Sequence, residues 1–335
     1  MSITRWKSIM VVIASPFARE QAAAKKAAAI ARRCGARLVL FNSFMIPQPV
    51  SDVPTGAPHE EFIAAAIRQR RERLEELASA LRLRRPASVV VRWDYPVHEA
   101  IVREVLKVKP DMLVTESHRH GRLARLLLAN TDWELIRSCP CPLWFVRSPE
   151  LPRRLEVLVA VDPRHTRAKP ARLDDRLLSA AGALTRQLNG RISMVHAYEA
   201  PASTMPSTLM EPIRLPISPE RAREFVSKTT RAVTALAEKH GVKPADCVVR
   251  QGAPADVIAT LVRRREADVL VMGAVSRSML TRPIIGNTAE RVIDRVDCDV
   301  LIVKPAGYKT PVKRAAMKVP AARRRTKRRP APVLA

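Results

Sequence analysis

The residues best placed by type and spacing to do chemistry lie between Val269 and Thr288. An apolar run that reads as a buried strand ends at Gly273. A small-residue loop carrying Ser276, Arg277 and Gly286 follows, and a helical pattern starts at Asn287 and Thr288. A strand feeding such a loop and then a helix N-terminus can hold phosphate. The loop lets backbone N–H groups approach the anion, and the helix's unpaired amides and dipole favour negative charge. Asn287 can cap the helix, and Thr288 keeps a hydroxyl beside it. Ser276 is two-sided. Its hydroxyl can donate to a phosphate, but if the loop needs a left-handed backbone there, serine costs about 1–2 kcal/mol more than glycine.

The elements that must position this loop occur twice. Asp111 and Asp268, Asn130 and Asn287, and Cys141 and Cys298 are each separated by the same 157 residues, within matching apolar contexts. A period this long means two whole domains rather than a solenoid. In the second copy we expect strands near Glu156–Val161, Arg191–Ala197, Asp246–Arg250, Asp268–Gly273 and Asp299–Lys304. Their near-continuous Val/Ile/Leu content suits strands buried on both faces. Leu173, Leu177, Ala181, Leu184 and Leu188 keep to one helical stripe, and further helices fit Pro219–Lys239, Ala255–Arg265 and Asn287–Arg295. The alternation predicts an α/β fold with a parallel sheet covered on both faces, and the first copy repeats it from Ile9 to Val146. Pro47–Pro58 and Pro201–Pro219 interrupt the pattern after the second strand of each copy and read as loops. Leu151–Arg154 is a short linker, so the copies should pack together.

Composition narrows the classes. With 47% hydrophobic and 27% charged residues the chain is globular, and 335 residues suffice for two cores. Only 4% are aromatic, which argues against a base-stacking platform for single strands. No run reaches the ~18 apolar residues of a membrane span, and Ile9–Ala14 is too short for a signal-peptide core. Five cysteines without framework spacing fit reduced thiols, so we expect a cytoplasmic protein. The net charge is +27, and the stretch from Lys309 onward carries ten basic residues and no acid. That tail, residues 309–335, is interrupted by prolines and expected to be disordered. Lys313, Arg314, Lys318, Arg323, Arg324, Arg325, Lys327, Arg328 and Arg329 make it a candidate contact for nucleic acid or another polyanion.

Other candidates have plain competitors. Cys139 and Cys141, with His118 and His120 upstream, could be read as a metal site, but zinc ligands more often leave two residues between cysteines. Cys141 matches Cys298, which has no cysteine neighbour, so a buried thiol fits both copies and no metal is expected. Val195 and His196 end the second strand and could line a pocket, or His196 could simply hydrogen-bond there. No nucleophile elbow, zinc-protease helix, Walker lysine loop or dinucleotide glycine motif is present, and no catalytic residue is assigned.

The order of elements, the duplication and the loop resemble the universal stress protein family, most closely its tandem-domain, E-like members. The residues that carry this are Leu158-Val-Ala-Val-Asp162, Met272-Gly-Ala-Val-Ser-Arg277 and Ile285-Gly-Asn-Thr-Ala-Glu290. Asn130-Thr-Asp-Trp-Glu134 and Cys139-Pro-Cys-Pro-Leu-Trp144 carry it in the first copy. The resemblance implies two adenine nucleotide alpha hydrolase-like domains, residues 1–149 and 153–308, each a five-stranded parallel sheet in the order 3-2-1-4-5. It implies ATP or a related nucleotide as ligand, with Asp162 on the base or ribose and the loop on the phosphates. The family's Gly-x2-Gly-x9-Gly-Ser/Thr spacing survives here as Gly273, Ser276, Gly286 and Asn287. In such a sheet Asp162 and Gly273 end neighbouring strands where the winding reverses, a favoured place for ligands. In the first copy Ala14, Glu116 and Ala129 stand at the positions of Asp162, Gly273 and Gly286, and a carboxylate at Glu116 would repel phosphate. The resemblance further implies pairing of the two fifth strands, making one chain a pseudo-dimer and leaving homodimerisation open. The expected function is non-catalytic nucleotide binding in a stress response, with slow ATP hydrolysis left open. The alternative is an accessory protein that binds DNA or RNA through its tail.

Overall fold

Each half of the chain spends its Val-, Ile- and Leu-rich runs on parallel strands and its amphipathic stretches on the helices that cover them. The computed structural model describes residues 5–45, 59–116, 130–164, 172–199, 202–205, 213–216, 218–274 and 287–314. The first half runs β1 (Ser8–Val12), α1 (Ala22–Cys34), β2 (Arg37–Phe44), α2 (His59–Ala80), β3 (Ser88–Trp93), α3 (Val97–Val108), β4 (Met112–Glu116), α4 (Asn130–Ser138) and β5 (Leu143–Val146). The second runs β6 (Leu155–Ala160), α5 (Leu173–Leu188), β7 (Gly190–Tyr198), β8 (Ala202–Met205), β9 (Ile213–Pro216), α6 (Pro219–Lys239), β10 (Cys247–Gln251), α7 (Pro254–Arg264), β11 (Val269–Gly273), α8 (Asn287–Arg295) and β12 (Asp299–Val303).

Ten strands form one sheet in the order β10-β7-β6-β11-β12-β5-β4-β1-β2-β3. Within each half this is 3-2-1-4-5, and every pairing inside a half is parallel. The halves join where β12 meets β5 antiparallel. Leu301 faces Trp144, its own counterpart 157 residues earlier, flanked by Val300 on Phe145 and Ile302 on Leu143. A register centred on equivalent residues is what a two-fold axis between the domains requires. Alternate residues along the strands feed two core layers, one under α1, α2, α5 and α6, the other under α3, α4, α7 and α8. Both layers run through both domains.

The expected loop after β7 departs from the sequence reading. Within it β8 and β9 pair as an antiparallel hairpin. Pro216 closes β9, the strand-end position that a residue without an N–H tolerates. The counterpart, Pro47–Pro58, lies outside the described residues.

Two polar devices fasten the sheet. Asp111 accepts hydrogen bonds from the Lys7 and Ser8 N–H groups at 2.7 and 2.9 Å, and its counterpart Asp268 accepts from Glu156 N–H at 2.7 Å. The carboxylate that opens each fourth strand thus holds the start of the neighbouring first strand, a charge-assisted bond that explains why this aspartate recurs. The second device has no counterpart. Lys26, inside the alanine-rich helix α1, lies 2.7 Å from Asp299 at the start of β12, with side chains 3% and 2% exposed. Asp299 also accepts from Trp144 Nε1 at 2.8 Å and from Arg147 N–H at 2.9 Å. One carboxylate of the second domain is therefore held by three groups of the first.

The residues that follow β12 do not leave at once. The Tyr308 hydroxyl donates to the Arg137 carbonyl of the first domain, and Val312 is partly buried against the second core layer. The first residues of the expected loose tail, through Val312, are docked. Lys313 and Arg314 are exposed. Lys318, Arg323, Arg324, Arg325, Lys327, Arg328 and Arg329 lie outside the described residues. Among the described residues no helix is long and apolar enough to cross a membrane.

Candidate functional site

Strands β6 and β11 lie side by side, Val157 to Val269 and Val159 to Val271, so their C-terminal ends open on the same edge of the sheet. Between them the winding reverses: β6 continues outward to β7, β11 inward to β12. Asp162 follows the end of β6 and Gly273 ends β11. A crevice at such a switch point is where the chain leaves backbone groups unpaired by a neighbouring strand.

The wall on the β6 side is polar. The Asp162 side chain is 40% exposed, and its backbone N–H donates to Asp174 Oδ1 on α5 at 3.2 Å. His196 is buried under it. His196 Nδ1 sits 2.9 Å from the Val161 carbonyl and 3.8 Å from Asp162 Oδ1. A carbonyl only accepts, so this bond puts the proton on Nδ1. His196 stacks on Tyr198, and Tyr198 meets Phe225 of α6. Arg164 lies 4.3 Å above the Phe225 ring and donates to Thr229 Oγ1 at 2.8 Å and to the Phe225 carbonyl at 3.1 Å. A guanidinium over an aromatic face is held by the ring's negative quadrupole.

The first domain identifies what His196 is for. There Asn42 Nδ2 donates to the Ile13 carbonyl at 2.7 Å, as His196 does to Val161. The adjoining backbone bonds match too, Ile13 N–H to Phe41 and Val161 N–H to Val195. Asn42 and His196 occupy one structural position and tie off the carbonyl at the end of the first strand. The hydrogen-bonding reading of His196 is the one the geometry favours.

The β11 side brings a second surprise. A Cβ on Gly273 would lie 2.7 Å from Leu173 Cδ2 of α5. A side chain there would push Leu173 aside, so helix packing on one sheet face favours the glycine independently of any phosphate. Next to it, Lys304 is buried, with Nζ 3.3 Å from the Ala274 carbonyl and 4.8 Å from the Tyr308 ring. Burial pushes its pKa down to about 8. Sequence reasoning missed this amine; a lone lysine closing an apolar strand, where the first copy has Arg147, was the available signal.

The structure brings Asp162 and Gly273 to one edge. Val195 is 1% exposed and its side chain lies in the second core layer, so it does not line the crevice surface. Ser276, Arg277 and Gly286 lie outside the described residues. Asn287 and Thr288 are the first residues of α8. In the first domain Ala14 is exposed and Glu116 half-buried at the equivalent edge. Beside that edge Arg70 lies 4.0 Å over Phe44 and 5.8 Å over Phe17. Among the described residues no group of three His, Cys, Asp or Glu side chains is arranged to hold a metal.

Comparison with known proteins matches this architecture. The sequence model of the universal stress protein family fits residues 5–147 and again 156–304. Universal stress protein E of Escherichia coli K12 is 30% identical over 312 residues, spanning 90% of this chain and 96% of its own. The protein of the same name from Photorhabdus laumondii is 26% identical over 332 residues, 93% of this chain and 99% of its own. Among solved structures, the functionally unknown PA1789 of Pseudomonas aeruginosa PAO1 superposes with a TM-score of 0.62 at 21% identity, covering 90% of this chain and 94% of its own. A universal stress protein from Archaeoglobus fulgidus gives 0.58 at 14% identity over 88% of this chain and 98% of its own.

Proposed function

Because the chain belongs to the universal stress protein family, with two of its domains in tandem, we propose that its second domain binds ATP or a related adenine nucleotide. In this reading the protein works in a cytoplasmic stress response by binding rather than by turnover. The observation that carries the reading is the switch point between β6 and β11, where the 40%-exposed carboxylate of Asp162 follows the end of β6 and Gly273 ends the neighbouring β11. The carboxylate accepts from a ribose hydroxyl or a base N–H, which a phosphate-only site would not need. Arg277 and the α8 N-terminus supply the complement for phosphates. The first domain carries Glu116 where the second carries Gly273, and it serves as the pseudo-symmetric partner. Five unpaired thiols fit a reducing compartment.

Asp162→Ala is expected to weaken ATP binding at least tenfold in isothermal titration, a loss of about 1.4 kcal/mol or more. The Asp162 side chain is 40% exposed, so the substitution empties little core volume and the thermal midpoint should stay close to wild type. Absence of wild-type heat at millimolar ATP overturns the proposal. Steady phosphate release abolished by the same substitution would make the protein a hydrolase instead.

A second reading is favoured by the charge. Ten of the +27 net charges follow Tyr308, and the docked part ends near Val312. We propose that the remainder contacts a polyanion such as DNA or RNA. Removing residues 315–335 leaves the docked segment intact and is expected to abolish retention on immobilised DNA at 50 mM salt. With ~6–10 phosphate contacts, the full chain's affinity should fall ~10³–10⁵-fold by 200 mM. Unchanged retention after truncation excludes this mechanism.

A further inference from the structure

Where β5 begins, the first domain sets two thiols against each other. Cys139 Sγ lies 3.6 Å from Cys141 Sγ. Cys139 is 1% exposed, while Cys141 is partly exposed, and the stretch 139–142 belongs to no helix or strand. The other cysteines, Cys34, Cys247 and Cys298, stand singly. The second domain has Val296 at the position of Cys139, so the pair is confined to the first half. Among the described residues no third His, Cys, Asp or Glu completes a metal site around it. The hydrogen bond to Cys139, with burial, raises the Cys141 thiol well above its ordinary range. The Cys141 sulfur is therefore mostly protonated at rest and reacts slowly. What the arrangement supplies is contact: once one sulfur is oxidised, the other is already within reach, and disulfide formation needs only that two sulfurs close to about 2.05 Å.

We propose that Cys139 and Cys141 form a reversible oxidation site, which a hydroperoxide converts to an intramolecular disulfide. The partly exposed Cys141 sulfur attacks the terminal peroxide oxygen. The O–O bond breaks, the alcohol or water leaves carrying the thiol proton, and Cys141 becomes a sulfenic acid. The Cys139 sulfur then displaces hydroxide from Cys141, and that hydroxide takes the Cys139 proton and departs as water. In sum two thiols lose two electrons and two protons, and one peroxide is reduced. A thiol reductant reverses the step by exchange. The site abuts the junction between domains. Cys139 lies within electrostatic reach of both Lys304 and Tyr308, and Lys304 holds the Ala274 carbonyl at the mouth of the second domain's crevice.

The test uses the reduced full chain, exposed to hydrogen peroxide, alkylated with N-ethylmaleimide in denaturant, and digested with trypsin. Five thiols should be alkylated before oxidation and three after, with all five recovered by dithiothreitol. The peptide 138–147 should lose about 2 Da without gaining maleimide. Cys139→Ser should instead leave Cys141 as a sulfenic acid, about 16 Da heavier and trapped by dimedone. Five alkylated thiols after peroxide, a sulfinic acid on Cys141, or a disulfide to any other cysteine would each overturn the proposal. None of these readouts depends on whether the second domain binds nucleotide.

Discussion

Lys26→Met is expected to lower the unfolding free energy by about 3–5 kcal/mol, the cost of removing one partner from a buried ion pair. The substitution keeps the length and apolar stem of the side chain, so it opens no large cavity. It leaves the Asp299 carboxylate buried with only the Trp144 indole N–H and the Arg147 backbone N–H as donors. Those two bonds do not neutralise a charge that water can no longer reach. Adding Asp299→Asn removes the charge, but Trp144 and Arg147 donate to different carboxylate oxygens, so the single amide oxygen can keep only one of the two bonds. The double variant should regain part of the loss, because the uncompensated buried charge is gone while one buried N–H is left without an acceptor. Urea unfolding followed by Trp fluorescence checks both. An unchanged midpoint for Lys26→Met would show that Asp299 is satisfied without the lysine.

Lys304→Met should move stability the other way, raising it by about 3 kcal/mol at pH 7. The folded amine titrates near 8 because burial disfavours the ammonium, against an ordinary value of 10.5. At pH 7 both states are protonated, and the folded state carries the full cost of the buried charge. Between pH 8 and 10.5 the unfolded chain binds more protons than the folded one, so stability rises with pH. The excess stability of Lys304→Met over wild type should therefore be largest below pH 8 and shrink above it. Other groups oppose this in the wild-type curve. Burial pushes Cys34 to about 11, Cys298 to about 12 and Tyr308 to about 12, so the folded state keeps those protons longer and loses stability from about pH 9 upward. They are common to both proteins and cancel in the difference. A pH-independent difference between the two urea midpoints would mean that the amine stays charged by a route other than simple burial.

The architecture was legible because its signals are redundant. Buried parallel strands need unbroken apolar runs, and α5 needed its leucine stripe, so their limits fall within a residue or two of expectation. The duplication was legible from the 157-residue spacing, and the structure supplies its physical basis in two of the three matched pairs. Asp111 and Asp268 pin the first strands, and Asn130 and Asn287 open the fourth helix of each half. The candidate site was legible only in part. Gly273 reads as a phosphate-loop glycine, but the sequence could not show that Leu173 also crowds a side chain there. A Gly273→Glu variant would consequently disturb α5 as well as any ligand. His196 reads as a ligand candidate until Asn42 is seen doing its work in a domain that lacks the acidic residue. The partners of Lys26 and Lys304 lie 273 and 30 residues away in the chain, and nothing local in either segment announces them.

The antiparallel seam between β5 and β12 has a consequence for inheritance. In an assembly of identical subunits, any amino-acid change is written on both sides of the axis, so an unlike-charge contact across it must be tolerated twice. Here the seam lies within one polypeptide, and a change in one half is written once. Lys26 meets Asp299, while the mirrored positions hold Ala180 and Pro142. Neither half has to be its own complement, so β11 can end in Gly273 while its counterpart β4 ends in Glu116.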